Sequence, residues 1–266
     1  MGRQSRTKRV VIIGGAGGSS TIAKALTPLG VHITLIQTPA DDGGSSGDMR
    51  RVFKMMPPGD TRRALLTLST LNAESFFEAF KHRYSSGLLK GQVIGNLMLA
   101  GLTQVSGSFE TAIEYAKNIF KAEGDIIPAS LTPATLYARL ENGHVIIGET
   151  NIDVPKHDGI LRIQKIWFKK PVPLNPRAAR AIAQADLIVI GPGDLYTSIL
   201  PNLLVTGMPG AIKRSRANKV FIANSTTKYG ETYNFTVSDF VKAAERYLKP
   251  NTLNYVIGNQ PLKTQK

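Results

Sequence analysis

Short apolar runs, each ending in glycine or a small polar residue, set the rhythm of this chain. Residues 9–13 (Arg-Val-Val-Ile-Ile) are apolar on both faces, as a parallel strand covered by helices requires. Ile22, Ala23, Leu26 and Leu29 recur at helical spacing, so residues 19–29 read as a helix that Ser19 or Ser20 caps and Gly30 ends. Residues 31–36 then form a second strand, and the strand–helix–strand opening implies a right-handed parallel unit. A long polar, glycine-rich loop follows over 38–59. Helical spacing resumes over 61–71, 74–84, 93–102 and 109–121, so consecutive helices interrupt the alternation. Residues 134–140 and 145–147 flank Asn142-Gly143 as a hairpin, and 160–168 alternates imperfectly. The α/β rhythm then returns: helix 175–185, strand 187–190, loop 191–198, helix 199–204 continuing over 208–214, strand 219–223, helix 236–248 and a short strand 253–257, before a polar tail from 258.

The pattern predicts an α/β fold: a Rossmann-like, doubly wound, mostly parallel sheet of about six strands. One domain spans 1–266, with a helical insertion at about 61–123 and a small antiparallel β extension at about 126–168, and no internal repeat is visible.

The chain has 266 residues, 42 % apolar, enough for a substantial core. It contains no cysteine, which excludes disulfides and thiolate metal sites and fits a reducing compartment. No apolar run reaches about 18 residues, so no transmembrane helix is expected. The basic start runs straight into the first strand without a signal-peptide core. The formal charge of +14 raises nucleic acid, anionic membrane or phosphorylated small molecules as partners. The basic residues are dispersed and lack interleaved aromatics, which argues against nucleic acid.

Candidate chemistry sits where strands end. Gly14, Gly15 and Gly17 follow the first strand, in the place of a dinucleotide loop. Ser20 stands where the third glycine of that fingerprint belongs, and the lysine of a nucleotidase phosphate loop is missing. Two readings remain: an amide-lined anion site at a helix start, or a tight turn needed only for packing. After the second strand come Asp41, Asp42, Gly43, Gly44, Ser45 and Ser46, suited to Mg²⁺, a ribose or a sugar. Asp60 stands where a helix cap would, with Arg62 on the following turn. Asn96 interrupts an apolar helix. Gly191, Gly193, Asp194 and Tyr196 follow another buried strand, with Tyr196 placed to lie against a ring, and Asn202 shapes the next helix start. Asn224 and Thr226 end the following strand. The four histidines, at 32, 82, 144 and 157, have no metal-like spacing. There is no nucleophile elbow, so binding is expected rather than catalysis.

In order, these loops, together with Leu89-Lys90-Gly91-Gln92-Val93-Ile94-Gly95-Asn96, Gly148-Glu149-Thr150-Asn151-Ile152 and Asn224-Ser225-Thr226-Thr227-Lys228-Tyr229-Gly230-Glu231-Thr232, make a chain that resembles the YvcK-like family, the gluconeogenesis factors. That family shares a fold with the CofD-like 2-phospho-L-lactate transferases. The resemblance covers nearly the whole chain. It implies a cytoplasmic protein that binds a nucleotide-type ligand, a UDP-sugar such as UDP-N-acetylglucosamine or an NAD-like molecule, and links carbon metabolism to envelope growth and cell shape, with a protein partner in that regulation. The alternative it implies is a Mg²⁺-dependent phospho-group transferase. The chain departs from the family pattern at Ala16, Gln92, Asp194 and Lys228-Tyr229. The oligomeric state stays open, a homo-oligomer included.

Overall fold

The computed structural model describes residues 6–259; Arg3 of the basic start and the part of the polar tail from Gln260 lie outside them. In chain order the strands are β1 (Arg9–Ile13), β2 (His32–Gln37), β3 (Asp125–Pro128), β4 (Leu136–Leu140), β5 (Val145–Ile147), β6 (Ile163–Phe168), β7 (Leu187–Ile190), β8 (Asn218–Ile222) and β9 (Tyr255–Ile257). The helices are α1 (Ala16–Leu26), α2 (Gly44–Phe53), α3 (Gly59–Leu68), α4 (Glu74–Lys81), α5 (Ile94–Ser106), α6 (Phe109–Phe120), α7 (Glu149–Asp153), α8 (Pro176–Gln184), α9 (Leu200–Leu203), α10 (Met208–Arg214) and α11 (Val237–Glu245).

Six strands form one parallel sheet in the order β3-β2-β1-β7-β8-β9. Val11 pairs with Thr34 on one side and with Ile188 on the other. Successive side chains of these strands point to opposite faces, and both faces are covered. Val11, Ile13, Ile36, Ile127, Ile188 and Phe221 pack toward α8, α10, α11 and the smaller sheet, whereas Val10, Ile12, Ile33, Leu35 and Ile126 pack toward α1, α3, α5 and α6. Two covered faces explain why the strands read as unbroken apolar runs. Each buried Val or Ile contributes roughly 1.5–3 kcal/mol.

The strand order reverses between β1 and β7, and this places a crevice outside the carboxyl ends of those two strands. β4, β5 and β6 form a separate antiparallel sheet in the order β5-β4-β6, with Tyr137 opposite Ile147 and Trp167. The expected hairpin is present, turning through Gly143 at φ +86°.

Several elements differ from the sequence expectation. Residues 125–128 join the main sheet beside β2, so the antiparallel extension begins at β4. The loop expected over 38–59 contains α2, which tertiary packing holds despite its Gly-Ser-Ser-Gly start. A Cβ on Gly47 would fall 2.0 Å from the Asp42 carbonyl oxygen, and Ser45, Ser46 and Met49 are buried. The first helix starts at Ala16 with Gly15 as its cap, three residues before the serines expected to cap it. The helix α7 had no signal in the apolar pattern, and the loop 191–198 closes into a π turn at Leu195–Ile199. Among the described residues no helix is long and apolar enough to cross a membrane.

Candidate functional site

The loops after β1, β2, β7 and β8 converge on two joined chambers. One, of about 300 Å³, is bounded by Thr38, Asp41, Gly43–Ser46, Gly59, Arg62, Arg83, Asn96, Glu149, Thr150 and Asp153. The other, of about 400 Å³, lies over Gly15, Gly17, Gly18, Pro192, Gly193 and Asn224–Thr226. Asp60, Arg63, Asp194 and Ser198 line both, so they form the neck between the chambers.

The second chamber is built on the start of α1. Gly15 is extended at φ −77°, ψ 159°, and no side chain caps the helix. The first backbone N–H groups of an α-helix have no partner within it, and no side chain of the cap residue takes those of α1. Gly18 seats this turn directly on the loop after β7, because a Cβ there would come within 1.9 Å of the Pro192 carbonyl oxygen. Gly193 N–H donates to Asn224 Oδ1 at 2.9 Å, which ties the β7 and β8 loops together.

Carboxylates dominate the first chamber. Asp41 accepts from Gly43 N–H at 3.0 Å. Burial pushes its carboxyl up, against hydrogen bonds from Gly43 and Ser46 and the Arg63 charge. Gly59 lets α3 begin against these groups: a Cβ there would lie 2.2 Å from Ser46 Oγ and 3.1 Å from Asp41 Oδ2. Asp42 turns away to hold the start of α7, accepting from Glu149 N–H (3.1 Å), Thr150 N–H (2.9 Å) and Thr150 Oγ1 (2.8 Å). Burial, then the charges of Asp41, Asp153, Asp42 and Asp60, push Glu149 up to about 9. At neutral pH Glu149 is therefore a neutral carboxylic acid, able to donate a hydrogen bond.

The cationic side is a relay. Arg62 Nε donates to Asn96 Oδ1 (3.2 Å), Asn96 Nδ2 donates to Ser45 Oγ (3.1 Å), and Ser45 Oγ donates to Gln92 Oε1 (2.9 Å). Gln92 in turn donates to Asp48. Burial, with Arg63 and Arg83 nearby, lowers the Arg62 guanidinium from its ordinary value. Asp60 is the acidic residue in the first turn of α3, whose cap is Pro58 rather than Asp60. Its carboxylate lies 3.8 Å from Arg63, and its carbonyl accepts from Gln37.

The far wall is a charge hub. The Lys228 ammonium lies 2.5 Å from Asp153, 3.1 Å from Asp194 and 2.8 Å from Glu231. Glu231 is buried and accepts from Tyr196 N–H at 3.1 Å and from Thr197 Oγ1 at 3.4 Å. Burial pushes its carboxyl up to about 7, against the pull of Lys228. Burial alone would lower the Lys228 ammonium, yet the three acids hold it above its ordinary value. Asp194 and Lys228, 34 residues apart in the chain, are therefore partners.

Of the residues singled out in the sequence, Gly15, Gly17, Asp41, Gly43, Gly44, Ser45, Ser46, Asp60, Arg62, Asn96, Gly193, Asp194, Asn224 and Thr226 line the chambers. The others do not. Asp42 caps α7, and Gly14 and Gly191 are buried beneath the loops. Asn202 is buried and donates to the Ser198 carbonyl. Tyr196 faces the core, its hydroxyl donating to the Ile163 carbonyl and its ring edge-on to Phe235, so it offers no face to a ring or sugar. Arg63, Arg83, Glu149 and Asp153 also line the first chamber and were not among the expected site residues. For Glu149 the available signal was its place directly after Gly148, which takes φ +96°. Among the described residues neither chamber is lined by a histidine.

Over residues 10–266 the chain matches the family described as 2-phospho-L-lactate transferase CofD. It is 39 % identical over 252 residues to a putative gluconeogenesis factor of Thermotoga maritima, covering 94 % of this chain and 78 % of the relative. It is 40 % identical over 254 residues to a gluconeogenesis factor of Listeria monocytogenes, covering 94 % and 77 %. A crystal structure of a UPF0052 family member from Bacillus halodurans superposes with a TM-score of 0.90 at 37 % identity, covering 97 % of this chain and 82 % of that one. The ordered loops, the strand order and these similarities agree: the chain belongs to the YvcK-like gluconeogenesis-factor family, related in fold to CofD.

Proposed function

We propose that the crevice binds a nucleotide-sugar ligand of the UDP-N-acetylglucosamine kind, and that the chain is a ligand-responsive regulator in carbon metabolism rather than an enzyme. The observation that carries this reading is the pair of joined chambers at the strand-order reversal. One offers uncapped amides of α1 to a diphosphate, with Arg63 at the neck. The other offers Asp41, neutral Glu149, Ser46 and Asn96 to the hydroxyls of a sugar or ribose. The relatives' name, gluconeogenesis factor, supports a place in carbon metabolism. The link to envelope growth and shape, the cytoplasmic setting and a protein partner follow from the family resemblance.

The family's transferase name supports a second reading, in which Mg²⁺ assists transfer of a phospholactyl group. At its carboxylate trio the crevice does not fit that metal. Among the described residues the one three-carboxylate group with converging oxygens is Asp153, Asp194 and Glu231, and the Lys228 ammonium sits among them. Asp42 is committed to α7.

Isothermal titration calorimetry with UDP-N-acetylglucosamine, other UDP-sugars and NAD tests the proposal. Saturable binding to the intact chain, weakened by Asp41→Asn, is expected. No heat and no thermal shift with any of these at millimolar concentration would overturn it. Turnover of a deazaflavin with an activated phospholactate donor would put the transferase reading in its place.

A further inference from the structure

The hub at Lys228 has a stoichiometry that an ordinary surface ion pair lacks. A lysine ammonium carries three N–H donors and no acceptor. Here it meets three carboxylates from three segments: Asp153 of α7, Asp194 of the loop after β7, and Glu231 beyond β8. Their ligand oxygens lie within 4.8 Å of one another. Without the ammonium, three negative groups would crowd one point, one of them fully buried at its side chain. Such a trio is the donor set of a divalent-cation site with oxygen ligands. The Lys228 contacts with Asp194 and Glu231, at 3.1 and 2.8 Å, are hydrogen-bond lengths. The ammonium therefore fills the point on which the three carboxylates converge.

The hub also reaches the ligand chambers. Asp194 lines both, and Asp153 and Thr197 line the first. Glu231 fixes the Leu195–Ile199 turn through Tyr196 N–H and Thr197 Oγ1. We propose that Lys228 is a built-in cation that takes the place of a divalent metal at the acidic wall of the crevice, so that ligand binding there needs no metal. Lys228 is a positioning residue in this scheme: it sets Asp194 and the 195–199 turn and does not itself line either chamber. The ligand half of the proposal rests on the nucleotide-sugar reading above; the cation half does not.

Two measurements on the intact chain test the two halves separately. The first uses Mn²⁺ alone, followed by electron paramagnetic resonance and water proton relaxation. Wild type is expected to take no tight Mn²⁺ at this wall, whereas Lys228→Met, which keeps the stem and removes the charge, gains a tight site that Asp194→Asn in the same background removes. Equal Mn²⁺ binding by wild type and Lys228→Met, or none by the folded variant, overturns the proposal. The second is calorimetry with UDP-N-acetylglucosamine. Wild-type affinity is expected to be unchanged by EDTA. Lys228→Met loses roughly 30-fold or more in EDTA and recovers with Mn²⁺. Wild-type binding abolished by EDTA, or undiminished binding by Lys228→Met, overturns it. If wild type binds no UDP-sugar with or without metal, the nucleotide-sugar reading falls while the Mn²⁺ result still decides the cation. If Lys228→Met is unfolded by circular dichroism, refolding on Mn²⁺ supports the proposal. Failure to refold, with Lys228→Gln folded and free of Mn²⁺, overturns it.

Discussion

Gly17 and Gly18 are neighbours on one helical turn, and the structure assigns them opposite sensitivities. A Cβ at Gly17 meets nothing within 4 Å; a Cβ at Gly18 lands 1.9 Å from the Pro192 carbonyl oxygen, 2.5 Å from its carbon and 3.2 Å from Gly193 N. All three are backbone atoms, so no rotamer change relieves the overlap, and α1 must lift off the β7 loop. Replacing a helical glycine by alanine gains up to about 1 kcal/mol of propensity. Overpacking a tight contact costs about 1–3 kcal/mol. Gly17→Ala should therefore be neutral or slightly stabilising. Gly18→Ala should be the less stable of the two by about 1–3 kcal/mol, since both gain the propensity term to a similar degree. At about 2–4 °C per kcal/mol for a chain of this size, the Tm values should differ by roughly 2–12 °C. Urea unfolding followed by circular dichroism reads the difference, provided both variants share one m value. Equal stability of the two variants would refute the seating of α1 on Pro192.

Glu149 contributes a pH dependence of definite sign. Its folded value of about 9 stands above the ordinary 4.5, so between these values the folded chain binds more protons than the unfolded one. Stability from this group then falls as pH rises through that window. Glu149→Gln should flatten the slope, with the variant gaining on wild type toward pH 9 and the gain vanishing near pH 4.5, read by urea midpoints across pH. Asp42→Asn removes the carboxylate that accepts three hydrogen bonds at α7. It should cost about 1–2 kcal/mol and speed amide exchange at Glu149 and Thr150, read by hydrogen exchange. Ser45→Ala strands the Val93 N–H and the Asn96 amide, which the buried hydroxyl accepts at 3.1 Å each. A loss of about 1–3 kcal/mol in urea unfolding is expected.

The parallel core was legible because its strands are buried on both faces and stop at glycine, so β1 and β7 are found where the apolar runs lie. The short helices were not legible. α2 opens on Gly-Ser-Ser-Gly and owes its existence to α5 and to the Ser45 hydrogen bonds; α7 has five residues and is organised by a carboxylate far away in sequence. The site divides in the same way. Glycines and acids at strand ends marked where the chambers are, because a loop's position follows from its strand. Which way a side chain turns depends on its neighbours in space. Asp42 and Tyr196 face structural partners, and Arg63, Glu149 and Lys228 become functional candidates only through residues remote from them in the chain.

The Asp42 contact with α7 spans 107 residues. Closing so long a loop is entropically costly until other contacts shorten it, and long-range pairings of this kind slow folding. One wall of the crevice comes from the first strand–helix–strand unit, the facing wall from the segment that follows the β4–β5 hairpin. The crevice is therefore expected to close late, after each sheet has its own core, and a chain that has formed both sheets without docking them would look folded by circular dichroism while binding nothing.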